Sequence, residues 1–268
     1  VNKIFEKTGV RIVVLNDQKQ EGLLEINGVA SKNEYDLKDL VVIGIGGGSV
    51  QIETLNPDQK FEFYLGSIAS EEFATKINTV VRGITDKPTA AMVSPNPISF
   101  VDEDLEKAVN IGRDYAKTII ASGAAPLVLT EKLSQPTTKI VGVGGVIVDG
   151  VAKLLDPKAK KKFFTINELK ETMDKYTGKT DAELPGSKNF KRTLITNLYM
   201  VYGMMKEFNV MQIAPVDINL TDGLFFMGSV LGLDKAAENR GTGKISIAQS
   251  ACFYLAGSPE KAVFTVKG

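Results

Sequence analysis

The chain has 268 residues, 43% of them hydrophobic, with 32 Lys and Arg set against 32 Asp and Glu. That length and apolar content suffice for one large or two modest domains with a sizeable core, and the balanced charge argues against a protein dominated by nucleic-acid binding. There is no histidine and one cysteine, Cys252, which removes histidine-based nucleophilic triads, phosphohistidine chemistry and most zinc sites and fits a cytoplasmic chain without an internal disulfide.

Val1 to Lys7 reads as a helix end stopped by Gly9, and Arg11-Ile12-Val13-Val14-Leu15 as a buried strand. Asn16-Asp17 is placed to cap a helix carrying Gln20, Glu21, Leu23 and Leu24. The polar stretch from Ser31 to Leu40 puts a boundary near Ser31, dividing the chain into residues 1–30 and 31–268. Leu40-Val41-Val42-Ile43 is a continuous apolar run typical of a central strand. It ends in Gly44-Ile45-Gly46-Gly47-Gly48-Ser49. Val50 to Leu55 and Phe61 to Leu65 follow as strands around an Asn56-Pro57-Asp58 turn, which makes an antiparallel meander.

Helices then dominate: Glu71 to Arg82, Val101 to Ala121 with acid in its first turn, Asn167 to Tyr176, Asn189 to Phe208 and Asp222 to Leu231. Among them Lys139-Ile140-Val141 is a short strand running into Gly142-Val143-Gly144-Gly145, with Ile147 to Leu155 as a following helix and Ala214 to Ile218 as the last strand. Apolar β-branched segments alternating with long amphipathic helices give an α/β chain built on one mixed sheet.

Three features carry chemistry. Successive glycines at Gly46, Gly47 and Gly48 are unfavourable in a hairpin, and the usual reason for them is close backbone approach to a ligand. Such a turn offers free N–H groups to an anion, and Ser49 adds a hydroxyl. The second glycine turn, Gly142, Gly144 and Gly145, is a strand-to-helix turn that reads equally as a phosphate or nucleoside site or as tight packing. The third is Gln20-Glu21-Gly22 at a helix start. A carboxylate there can serve as a general base on water, although by residue chemistry alone an ordinary solvated glutamate explains it.

Taken in order, these residues resemble the exopolyphosphatase / guanosine-pentaphosphate phosphohydrolase family of the actin/hexokinase superfamily. Thr8 to Leu15, Glu21-Gly22 and Gly28-Val29 are similar to the segment in which a strand and a paired-Glu helix lead into Gly-Val. Val41 to Gln51 resembles the second phosphate motif, Leu65-Gly66 the Leu-Gly after the third strand, and Gly142 to Gly145 the later glycine turn. Asp217 to Gly223 resembles the closing strand and helix start, with Arg192 on the helix before it. The resemblance implies a ribonuclease-H-like mixed sheet flanked by helices, the second lobe of an actin-like fold, with residues 1–30 the end of the first lobe.

It also implies hydrolysis of phosphoanhydrides in inorganic polyphosphate or a guanosine polyphosphate. Glu21 would be the water-activating base, Gly46 to Ser49, Gln51, Gly142, Gly144 and Gly145 would bind phosphate, and Mg²⁺ would offset phosphate charge. There are departures. The metal carboxylate of the second motif is Gly44 here, and the Arg-Glu of the closing motif is Thr221-Asp222. A first lobe of about 100 residues with its own phosphate loop is also implied, so the chain is expected to be a fragment or to have lost half the cleft.

Two other readings stand beside the enzyme: a catalytically degenerate nucleotide- or polyphosphate-binding regulator of the same fold, and a sugar or acetate kinase. Ecto-apyrases match Gln51 and Glu21-Gly22 more closely but are usually secreted and cysteine-rich. The expected partner is a phosphate-rich small molecule or polyphosphate, with a homodimer left open and neither nucleic acid nor membrane involved. No apolar run reaches the ~18 residues of a membrane span.

Overall fold

A computed structural model of the chain describes residues 18–32, 34–99, 101–121, 124–158, 160–186 and 188–230. The helix end before Gly9, the strand at Arg11 to Leu15 and the cap at Asn16-Asp17 lie outside these residues. The chain divides into two compact units, one from Tyr35 to Asp217 and one that joins the segments on either side of it, up to Glu34 and from Ile218. Among the described residues, 218–230 therefore group with 18–32 and 34 and not with 35–217.

The larger unit holds a six-stranded sheet in the order β3-β2-β1-β4-β6-β5, formed by β1 (Leu40–Ile45), β2 (Val50–Leu55), β3 (Phe61–Gly66), β4 (Lys139–Val143), β5 (Phe164–Thr165) and β6 (Gln212–Pro215). β1, β2 and β3 form the expected antiparallel meander, with Ile43 opposite Ile52 and Ile52 opposite Tyr64. β4 runs parallel to β1, with Gly142 beside Ile43, and β6 runs parallel to β4. β5 pairs antiparallel to β6 at the edge.

Strand side chains alternate faces, so Val41, Ile43, Ile45, Val50 and Ile52 share one. They are buried in a single core with Phe73 and Ile77 of α2 (Ser70–Val80), Tyr115 and Ile119 of α4 (Asp102–Ala121), and Ile195 and Tyr199 of α8 (Lys188–Glu207). Leu40, Val42, Val141 and Val143 on the other face are equally buried, which is why these strands read as continuous apolar runs.

The last strand is Gln212–Pro215, starting two residues and ending three residues before the expected Ala214 to Ile218. Ile213 is drawn into the core, and the parallel ladder with β4 runs only to Gly142 opposite Pro215, closed by the Val216 N–H donating to the Gly142 carbonyl at 2.9 Å. Two short helices were not read from the sequence: α3 (Lys87–Met92), capped by Asp86 with proline in its first turn, and α5 (Leu127–Ser134). After β4 the chain enters a wide-turned π-helix at Gly145–Ala152 and continues into α6 (Lys153–Leu155).

α4 and α8 meet backbone to backbone. A Cβ on Gly112 would lie 3.0 Å from the Tyr199 carbonyl oxygen, and one on Gly203 would lie 2.8 Å from the Arg113 nitrogen. α7 (Ile166–Tyr176) carries its own cap: Thr165 and Glu168 form a reciprocal capping box, and Lys161 pairs with Glu168. The Lys161 hydrogen bond, then the Thr165 N–H, hold the Glu168 carboxyl down to about 2, from a usual 4.5.

In the smaller unit, α1 (Gln18–Ala30) packs on α9 (Leu220–Val230), with Leu24 buried among Leu23, Leu220 and Leu224. A Cβ on Gly223 would fall 1.9 Å from the Leu24 carbonyl oxygen, so only glycine fits. Asn219 accepts from the Thr221 and Asp222 N–H groups, and Asp222 accepts in return from the Asn219 N–H (3.1 Å) and pairs with Lys32 at 3.4 Å. Among the described residues no helix is long and apolar enough to cross a membrane.

Candidate functional site

Both glycine turns leave the sheet at the carboxyl ends of neighbouring parallel strands, where ligands of open α/β sheets gather. β1 ends at Ile45 and β4 at Val143. The turns touch: a Cβ on Gly144 would stand 2.7 Å from the Ile45 carbonyl oxygen.

In the first turn the Gly46 N–H donates to the Ser49 carbonyl (3.0 Å). The Gly46 carbonyl accepts from the Ser70 N–H (3.3 Å), and the Gly47 carbonyl from the Glu71 N–H (3.1 Å). A helix leaves its first N–H groups without intrahelical partners, and the residue before α2 is Ala69, which has no side-chain acceptor. The glycine carbonyls therefore cap α2.

In a trans peptide the C=O and the following N–H point in opposite directions. With the Gly46 and Gly47 carbonyls turned toward α2, the Gly47 and Gly48 N–H groups face away from it. Among the described residues these two amides make no backbone hydrogen bond, and both residues are exposed. A Cβ on either would meet nothing within 4 Å, and neither φ is left-handed. The fold itself does not require glycine at 47 or 48.

The second turn differs. A Cβ on Gly142 would lie 2.6 Å from Ile147 Cγ2 and 2.9 Å from Ile213 Cγ2, and Gly144 has φ +84° as well as its contact with Ile45. Packing accounts for both. Gly145 is freer, with Phe190 Cε1 3.8 Å from where a Cβ would stand. Next to it is a cavity of about 540 Å³ lined by Asp149, Lys153, Tyr176, Pro185 and Phe190.

Of the other residues singled out, Gln51 is 1% exposed and sits within the sheet, between Gly44 of β1 and Leu65 of β3. Glu21 belongs to the smaller unit, half-buried in the first turn of α1. Gly44 offers no donor, its neighbour Gln51 is neutral, and among the described residues no three acidic or cysteine side chains stand together. The residues at this position do not fit a protein-held magnesium ion.

Sequence reading passed over Ser70 and Asn197, which lie behind the turn. The Ser70 hydroxyl donates to Asn197 Oδ1 at 2.8 Å, with both residues buried. Arg192 pairs with Glu71 and also donates to the carbonyls of Val93 (Nε, 3.2 Å) and Ala91. The available signal was polarity out of place: Thr196-Asn197 interrupts the buried apolar stripe of α8.

No protein-family model matches the chain, and no curated protein matches it in sequence. Solved structures do match. The Ppx-GppA enzyme of Aquifex aeolicus is 15% identical with a TM-score of 0.62, and the match covers 84% of this chain and 68% of that one. A type II variant of the Ppx/GppA phosphatase from the same organism gives 14%, 0.60, 84% and 68%. An exopolyphosphatase from Cytophaga hutchinsonii gives 13%, 0.57, 85% and 68%. At these identities the likeness is one of fold, and the fold implied by the sequence, an actin-like one of the Ppx/GppA type, is the fold this chain has.

Proposed function

We propose that this chain serves in the hydrolysis of terminal phosphoanhydrides, in inorganic polyphosphate or a guanosine polyphosphate. The observation that carries the reading is the pair of outward amides at Gly47 and Gly48, on glycines that neither φ nor packing requires. A phosphate seated there accepts from the two N–H groups and from the Ser49 hydroxyl. Gly46 shapes the turn, since its own N–H is bonded within it. These donors oppose the negative charge that builds on the transferred phosphoryl group. The general base assigned by the sequence resemblance is Glu21. In that role it would take a proton from water as the water oxygen bonds to the terminal phosphorus; the P–O–P bridge breaks, the terminal group is released as orthophosphate, and the shortened chain leaves with the bridging oxygen. The fold shared with structures described as exopolyphosphatase and phosphatase supports the same reading.

The test is turnover and binding with polyphosphate and guanosine polyphosphates. Glu21→Gln keeps the shape but cannot take the proton, so the rate is expected to fall about 100- to 10,000-fold while tripolyphosphate still binds. Wild-type turnover by Glu21→Gln removes it from the mechanism. Binding without any turnover by the wild type favours the regulatory module, a reading to which Gly44 in the metal position lends weight.

A further inference from the structure

The outward direction of the Gly47 and Gly48 amides is not fixed within the turn. It follows from where the Gly46 and Gly47 carbonyls point, and these are held by the N–H groups of Ser70 and Glu71. Those two residues are held in turn by a third element. The Ser70 hydroxyl donates to Asn197 Oδ1 at 2.8 Å across 127 residues of sequence, with Ser70 4% and Asn197 2% exposed. Glu71 is held through its side chain by Arg192. Asn197 and Arg192 both lie on α8, which is pinned to α4 by backbone contact at Gly112 and Gly203.

We propose that Ser70 and Asn197 are positioning residues for the glycine turn, fixing the orientation in which its amides meet a phosphate. The inference rests on reading that turn as a phosphate site. A buried neutral hydrogen bond contributes little net stability, and an apolar pair of similar size would fill the same space. What the pair supplies is direction. Ser70 sits at the first position of α2, so its hydroxyl fixes how the helix start faces the turn. A tilt there misaligns the bond to the Gly46 carbonyl and, through the rigid peptide plane, the Gly47 N–H. Hydrogen bonds weaken steeply once their angle falls below ~120°, so a small rotation reaches the ligand as lost affinity.

The experiment measures three quantities on the full chain: the tripolyphosphate dissociation constant by calorimetry, the midpoint of thermal unfolding, and the amide resonances of Gly47 and Gly48 in glycine-labelled protein. Ser70→Ala is expected to raise the dissociation constant about tenfold, the loss carried by roughly one net hydrogen bond, and to shift both resonances. Ser70→Thr keeps the hydroxyl and should restore both. Asn197→Leu should match Ser70→Ala, and the two together should be no worse than either alone, because they break one bond. Should Asn197→Leu fail to fold, the Ser70→Ala and Ser70→Thr pair decides.

The proposal is overturned if Ser70→Ala lowers only the unfolding midpoint, leaving affinity and glycine resonances unchanged, while changing Gly47 and Gly48 to alanine weakens binding. In that case the phosphate site stands and the pair is structural. If the wild type binds no tripolyphosphate, the phosphate reading falls and this proposal with it.

Discussion

The two glycine turns sit side by side at the ends of parallel strands, yet their glycines answer to different neighbours. At Gly142 and Gly144 the neighbours are inside the protein: Ile147, Ile213 and the Ile45 carbonyl occupy the space a side chain would need. At Gly47 and Gly48 that space is empty and faces outward. The lesson is that a glycine-rich strand end does not by itself identify a ligand site. The discriminating question is what a Cβ would touch.

Four substitutions test this contrast, starting with the largest effect. Gly144→Ala combines a left-handed φ with a clash against backbone, and should lose about 2–5 kcal/mol of stability in urea unfolding. An unchanged midpoint would mean that the second turn is as open as the first. Changing Gly47 and Gly48 together to alanine should alter stability by no more than about 1 kcal/mol in either direction, while weakening tripolyphosphate binding about tenfold by calorimetry, some 1.4 kcal/mol. If this pair destabilises as much as Gly144→Ala, the distinction between the turns collapses. Gly145→Ala, with only an ordinary contact to Phe190, should stay within about 0.5 kcal/mol by the same unfolding assay.

The helices that follow give a finer contrast. α2 is capped by glycine carbonyls, which do not titrate, whereas the capping box of α7 closes through the Glu168 carboxyl, which accepts from the Thr165 N–H and is held near 2. A folded-state value below the unfolded one contributes stability that is fully present above about 4.5 and is lost as the pH falls toward 2. Hydrogen exchange at the Thr165 amide, which donates to that carboxylate, corrected for intrinsic rate, should therefore rise over that window while the Ser70 and Glu71 amides do not follow. Glu168→Gln should remove the difference.

Much of the fold was legible in the sequence because β1 is an unbroken apolar run, β2 and β3 follow it around a marked turn, and the long helices are amphipathic. The shift of the last strand was not, because its bounds are set by pairing with distant Val141 and Gly142. α3 and α5 are only 6 and 8 residues long, too short for a helical period to declare itself. At the site, the glycine run was readable as a run. The reason for each glycine was not, since Gly142 is excluded by Ile213, far along the chain. Gln51 followed a motif position, and its burial between Gly44 and Leu65 depends on a register that joins distant strands. Ser70 and Asn197 could not be joined from sequence because only the folded chain brings them together.

The close contact between α4 and α8 has a consequence for how this protein tolerates change in length. Gly203 locks the rotational phase of α8 against α4, and Asn197 and Arg192 lie on the same rod. One residue inserted or deleted between Asn197 and Gly203 would turn everything before it by about 100°, carrying the Asn197 amide away from Ser70. Point changes on the solvent side of α8 would leave that phase intact. The spacing of Arg192, Asn197 and Gly203 is thus as much a part of the site as the glycines they stand behind, and it is recorded in the count of residues as well as in their identities.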